Sequence, residues 1–140
     1  MNIINLDKEK EIAIKAAKLA GKLLKEDKNI LNLKINSNPR DTKLKADIKS
    51  EKLILDILNS ESSYPVLAEE TGKTSDDLGD IFWVVDPLDG TANYNRNIPI
   101  CCVSIGLVKN MKPLIGVIFD FNNDDIFVGD NVNNLARLNN

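Results

Sequence analysis

The order of hydrophobic patterns predicts an α+β fold in which two helices pack on a mostly antiparallel sheet. Three observations carry that expectation. Two stretches of helical period stand early in the chain, short strand-like runs dominate after the second of them, and turn residues separate the last runs closely enough for direct antiparallel pairing. At 140 residues the chain has single-domain length and can bury roughly two thirds of its unfolded surface.

Across residues 7–27, Ile12, Ala16, Leu19, Ala20 and Leu23 recur at helical spacing while Lys8, Lys15, Lys18, Lys22 and Lys25 mark the other side, which predicts an amphipathic helix. Residues 28–46 begin with a short apolar stretch and become polar through Asn36, Ser37, Asn38 and Pro39, the pattern of a strand followed by a mobile loop. Asp47 stands where a helix cap belongs, ahead of Leu53, Ile54, Ile57 and Leu58. Strand-like runs follow at residues 64–68, 81–85, 100–108, 114–121 and 125–128. Residues 109–113 and 122–124 carry turn chemistry, so the last three runs are expected to form an antiparallel meander. The Asn-rich residues 131–140 read as a solvated turn or frayed tail. Cys101, Cys102, Phe82, Trp83 and Phe119 are assigned to the core.

Composition removes whole mechanistic classes. With no histidine, Ser-His-Asp and Cys-His systems, histidine-ligated zinc and imidazole general-base chemistry are excluded. Cys101 and Cys102 are the only cysteines and are adjacent, which excludes a disulfide framework, a CxxC motif and a cysteine zinc site, and fits a reducing compartment. Asp7, Lys8 and Glu9 interrupt any signal-peptide apolar region, and the longest apolar stretch, residues 99–108, is too short to span a bilayer. A soluble, cytoplasmic protein with no membrane partner is expected. Residues 1–52 carry a charge of +5 and residues 53–140 a charge of -8, for a net -3. The basic excess reads as the solvated face of a helix, so no nucleic-acid partner is expected. Catalysis is left to carboxylates, hydroxyls, lysines and hard metals.

The segment Trp83-Val84-Val85-Asp86-Pro87-Leu88-Asp89-Gly90-Thr91 concentrates that chemistry. A β-branched run delivers Asp86 to the end of a buried strand, Pro87 is expected to stop ladder pairing, and Gly90 lets the backbone approach a ligand closely. Asp86, Asp89 and a peptide carbonyl then surround one small volume, an oxygen set suited to Mg²⁺ or Mn²⁺. Taken alone, Pro-Leu-Asp-Gly is equally an ordinary turn signal. Glu69 and Glu70 follow the apolar run at residues 66–68. Were they to meet Asp86 and Asp89, each close pair would repel by up to about 4 kcal/mol at an effective dielectric near 20 unless a divalent cation offset it. The alternative is that the glutamates are solvated at a loop entry. Asp47 likewise has a plain use, because a capping aspartate contributes about 1 kcal/mol without any metal.

Ala68-Glu69-Glu70, then the segment from Trp83 to Thr91 continued by Ala92-Asn93-Tyr94, then Val103-Ser104-Ile105-Gly106-Leu107, resemble the inositol monophosphatase family of Mg²⁺-dependent, lithium-sensitive phosphatases. The resemblance implies the N-terminal domain of a layered αβαβα sugar-phosphatase-like fold. It also implies a phosphoric monoester hydrolase with Mg²⁺ as cofactor, Mn²⁺ as the alternative, and Li⁺ as inhibitor. It implies that Glu69, Asp86, the main-chain carbonyl of Leu88 and Asp89 ligate the metal. Thr91 with Glu69 would orient and activate the attacking water, the amides of Gly90 and Thr91 would face the substrate phosphate, and Asp47 would contact a more weakly held metal through water. Phosphoryl transfer asks mainly for positioning and charge neutralisation, which such a set supplies. The sequence departs from the family at Leu44, where a threonine is common, and at Asn36, where a lysine is often present. Lys34, Arg40 and Lys43 are either the replacement charge or a solvated loop.

The resemblance covers about the N-terminal half of the family's usual length, with the C-terminal domain absent. The expected site is thus a half-site, completed by that missing half or by a homo-oligomer. Three readings compete: a Mg²⁺-dependent phosphomonoesterase for inositol monophosphate or a similar small sugar or polyol phosphate, a 3'(2'),5'-bisphosphate nucleotidase of the same family, and a catalytically silent truncated domain or binding module. Exposed apolar sheet surface left by the missing half would favour self-association.

Overall fold

The computed structural model describes residues 3–31, 34–37 and 42–139. The elements in chain order are α1 (Leu6–Glu26), α2 (Lys28–Leu31), β1 (Lys34–Ser37), β2 (Thr42–Leu44), α3 (Lys45–Glu61), β3 (Val66–Ala68), β4 (Gly72–Lys73), β5 (Ile81–Asp89), α4 (Thr91–Asn95), β6 (Cys102–Lys109), β7 (Lys112–Asp120), β8 (Asp125–Asp130) and β9 (Leu135–Leu138). Among the described residues β1 and β2 form a hairpin, and the other strands form one sheet in the order β4-β3-β5-β6-β7-β8-β9. Every neighbouring pair in that sheet is antiparallel except β3 with β5, which run parallel. The α+β expectation of two long helices on a mostly antiparallel sheet holds.

Asn5 caps α1 by accepting the amide of Lys8 at 3.1 Å. The helix buries Ile12, Ala13, Ala16, Ala17, Ala20, Gly21 and Leu24 against the sheet and α3. The buried stripe is therefore centred further round than the sequence pattern implies: Leu23 is only half-buried and Leu19 is 41% exposed. Small residues on this stripe let the helix lie close to β7, and at Gly21 the fit is tightest, since a Cβ there would stand 2.4 Å from Cδ2 of Phe119. Alternation along the central strands sends Val103, Ile105, Leu107, Ile115, Val117, Phe119, Ile126 and Val128 into the same core. Trp83 is fully buried beneath α1 and α3 and donates its indole N–H to Ser62 Oγ at 3.0 Å, while Ser62 donates to the buried Glu9 at 2.8 Å.

Several expectations are corrected. The apolar stretch after α1 closes a short helix, and the next segment pairs as a hairpin, because Lys34–Ser37 and Thr42–Leu44 register with each other. The loop expected at Asn38 and Pro39 lies outside the described residues. Leu44, with an extended backbone, occupies the cap of α3, and Asp47 lies inside the first turn, where its Oδ2 accepts the Leu44 amide at 2.9 Å. Pro87 does not end β5: the register shifts between Asp86 and Asp89, so the proline sits in an irregular stretch that asks nothing of its missing N–H, and pairing resumes at Asp89 opposite Cys102. The Asn-rich end is not a frayed tail, since Leu135–Leu138 pair with β8.

The face of the sheet opposite α1 and α3 exposes Val84, Ile118, Phe127 and Leu138. A groove of about 590 Å³ runs along it between Gly116, Ile118, Phe127 and Leu138. No described helix is long and apolar enough to cross a membrane.

Candidate active site

The parallel pairing of β3 with β5 builds the site. Ala68 registers with Val85, so the next residues, Glu69 and Asp86, leave the same edge of the sheet side by side, and the Glu69 amide donates to the Val85 carbonyl at 3.2 Å. The two carboxyls are in hydrogen-bonding contact, and the Glu69 carboxyl is pushed up to about 8 by burial first, then by Asp86, and then by the charges of Glu70 and Asp47. The charges that raise Glu69 are all carboxylates, which a hard cation would offset.

Beyond the strand, Asp86 Oδ1 accepts the Leu88 amide at 3.2 Å, an Asx-turn across Pro87. Ser50, fully buried on α3, donates to the Pro87 carbonyl at 2.7 Å. Gly90 has φ of 96° and sits where a Cβ would come within 2.9 Å of the Ile100 carbonyl oxygen, so the sharp entry into α4 requires glycine. The Thr91 hydroxyl then lies 2.9 Å from Asp47 Oδ1 and 3.1 Å from the Leu88 carbonyl. Having one proton, it donates to the charged acceptor, which leaves the Leu88 carbonyl oxygen with lone pairs to offer. Asp47 is 2% exposed; burial raises its carboxyl above the ordinary range, opposed by the Leu44 amide and the Thr91 hydroxyl.

Glu69, Asp86, the Leu88 carbonyl, Thr91 and Asp47 are thereby linked by contacts or neighbouring charge. Asp89 follows the irregular stretch of β5, where it pairs opposite Cys102. It lines a hollow of about 470 Å³ with Gly90, Asn93, Cys102, Asp120 and Phe127. Its Oδ2 lies 3.9 Å from Cys102 Sγ, and that thiol is raised to about 11 by burial and by Asp89 and Asp86. Cys102 is therefore not the core residue expected: it is half-buried and, with the buried Cys101, lines the hollow beside Asp89. The side chains of Lys34, Asn36, Arg40 and Lys43 lie outside what the structure describes. Sequence reasoning missed Ser50 and Glu51, whose signal was their spacing of three and four residues from Asp47 on one helix.

The sequence profile described as the inositol monophosphatase family matches residues 5–137. The chain belongs to that family. It is 39% identical over 119 residues to the Nus factor SuhB of Xylella fastidiosa, covering 83% of this chain and 42% of that protein. It is 32% identical over 124 residues to inositol monophosphatase 1 of Solanum lycopersicum, covering 86% of this chain and 45% of that protein. Among solved structures, the extragenic suppressor protein suhB of Bartonella henselae superposes with a TM-score of 0.83 at 30% identity, over 93% of this chain and 51% of that one. The inositol monophosphatase of Anabaena superposes with a TM-score of 0.80 at 35% identity, over 97% and 48%. The chain spans about half the length of the relatives it matches.

Inositol monophosphatases are generally Mg²⁺-dependent and lithium-sensitive, and the donor chemistry here fits a hard divalent cation. Every candidate ligand is oxygen, and the charges that raise Glu69 are those of Asp86, Glu70 and Asp47. Among the described residues, no three aspartate, glutamate or cysteine side chains are already gathered as a cage.

Proposed function

We propose that this chain supplies one side of a Mg²⁺-dependent phosphomonoesterase acting on inositol monophosphate or a similar small sugar or polyol phosphate. The observation that supports it best is the contact between Glu69 and Asp86 at the end of the parallel strand pair, beside the Leu88 carbonyl and the Thr91–Asp47 hydrogen bond. Glu69, Asp86, the Leu88 carbonyl and Asp89 would hold Mg²⁺, or Mn²⁺ in its place. When bound, the ion would neutralise phosphate charge and make water a better nucleophile.

The chain's own groups do the rest in this proposal. Thr91 donates its proton to Asp47, so its oxygen lone pairs are free to accept from a water and orient it. Glu69 accepts that water's other proton. The first amides of α4, with that of Gly90, have no partner within the helix and are offered to phosphate oxygens. The hollow beside Asp89 and Gly90 receives the organic part of the substrate. The C-terminal half of the longer family proteins, or a second copy of this chain, would supply the remaining wall. Free thiols at Cys101 and Cys102 support a reducing, cytoplasmic setting.

Phosphate release from inositol 1-phosphate and from 3'-phosphoadenosine 5'-phosphate, with and without Mg²⁺, tests the reading. Release from the inositol phosphate that requires Mg²⁺ and falls in Asp89→Asn is the expected result. Preference for the bisphosphate would move the substrate to the nucleotidase class. Metal uptake with no turnover of either would leave a silent binding module.

A further inference from the structure

We infer that Glu51 is the positioning residue for the Glu69 carboxylate. The inference rests on the phosphatase reading and deepens it. Glu51 lies on α3 one turn beyond Asp47 and is 1% exposed. Its two carboxylate oxygens accept the amides of Glu70, at 2.8 Å, and of Thr71, at 3.0 Å. These amides belong to the turn that joins β3 to β4, immediately after Glu69. A buried carboxylate that takes two successive backbone N–H groups is a charge-assisted clamp on the turn, shorter at both contacts than the 3.2 Å bond from the Glu69 amide to Val85.

The rest of the same helix face makes the clamp purposeful. Asp47 holds Thr91 at the start of α4, Ser50 holds Pro87 inside the irregular stretch of β5, and Glu51 holds the segment that carries Glu69. Residues three and four apart on a helix share one face, so a single rigid element sets the distances among the groups proposed to meet the cation. Glu69 and Asp86 repel whenever both are ionised, and without Glu51 the turn would be free to swing Glu69 away. Outer partners of this kind typically change metal affinity about 10–100-fold when lost.

Glu51→Gln tests this in the full chain, because the amide keeps the volume but offers one acceptor oxygen where the carboxylate offers both. Hydrogen exchange at the Glu70 and Thr71 amides is expected to quicken at least about tenfold relative to amides of α1 and β6, and Mn²⁺ affinity of the folded protein to fall about 10–100-fold. Ile57→Ala, which weakens packing further along the same helix, is expected to keep wild-type Mn²⁺ affinity, separating positioning from general destabilisation. Wild-type exchange and affinity in Glu51→Gln would overturn the inference. Should that variant fail to fold, the wild-type amides decide: exchange as slow as the interior of α3 supports the clamp, and exchange at the rate of an exposed turn overturns it. No Mn²⁺ uptake by the wild type would overturn the metal reading, while the exchange rates judge the clamp by themselves.

Discussion

Replacing Thr91 by valine removes one hydroxyl and keeps the shape of the side chain. The hydroxyl proton goes to Asp47 Oδ1 at 2.9 Å, and Asp47 is 2% exposed, so water cannot readily replace the donor on the carboxylate side. A lost hydrogen bond to a charged group costs about 1.5–3 kcal/mol. Thr91 itself is half-buried, so part of that loss is recovered on its own side, and about 2 kcal/mol is the expected net. Asp47 keeps the Leu44 amide, which limits the damage to one of its oxygens. With a urea dependence of about 1–3 kcal/mol per molar, the unfolding midpoint of Thr91→Val should fall by about 1 M at pH 7 with the slope unchanged. Thr91→Ser keeps the donor and loses one methyl, so its midpoint should stay near wild type. Equal loss in the two variants would refute the reasoning, since the methyl and not the hydroxyl would then matter.

Gly21→Ala sets helix propensity against packing. Alanine gains about 1 kcal/mol within a helix, but overpacking costs about 1–3 kcal/mol. The added Cβ would fall within 2.5 Å of the buried ring of Phe119, so the second effect wins and the melting temperature should drop; an unchanged or higher value would contradict the packing described. The Lys10 ammonium at 2.8 Å, together with Asn133, holds the Asp130 carboxyl below the ordinary range. A folded value below the unfolded one, near about 3.9, adds stability above that pH which is lost as pH falls through the folded value. The stability advantage of wild type over Asp130→Asn should accordingly shrink on acidification below about pH 4, and a constant difference in acid unfolding curves would count against the pair. On the open sheet face, Ile118 is 44% and Phe127 45% exposed, enough apolar surface for concentration-dependent self-association that Phe127→Lys should reduce; a monodisperse monomer at micromolar concentration by light scattering would contradict it.

The helices and central strands were legible because period is a local property. Ala16 and Ala20 on one face, or Val103, Ile105 and Leu107 on alternate positions, announce themselves within a few residues. Pairing that depends on partners elsewhere was not. Nothing around Pro87 tells that Ser50 will hold its carbonyl while pairing resumes at Asp89, and the asparagines around Leu135 and Leu138 masked a strand that β8 recruits. The same distinction runs through the site. Glu69 and Asp86 were legible as acidic ends of apolar runs, and the parallel register then brings them into contact. The exposure of Cys102 beside Asp89 and the clamp made by Glu51 both depend on which way a backbone turns, so residue type alone could not reveal them.

Titration of the chain with Mn²⁺, followed by the paramagnetic signal of the free ion, addresses the central claim most directly. Saturable uptake by the wild type, abolished or strongly weakened in Asp86→Asn while the exposed-helix variant Asp56→Asn binds normally, is the expected result. Uptake that is absent, or identical in the three proteins, would mean that the contact between Glu69 and Asp86 serves no cation.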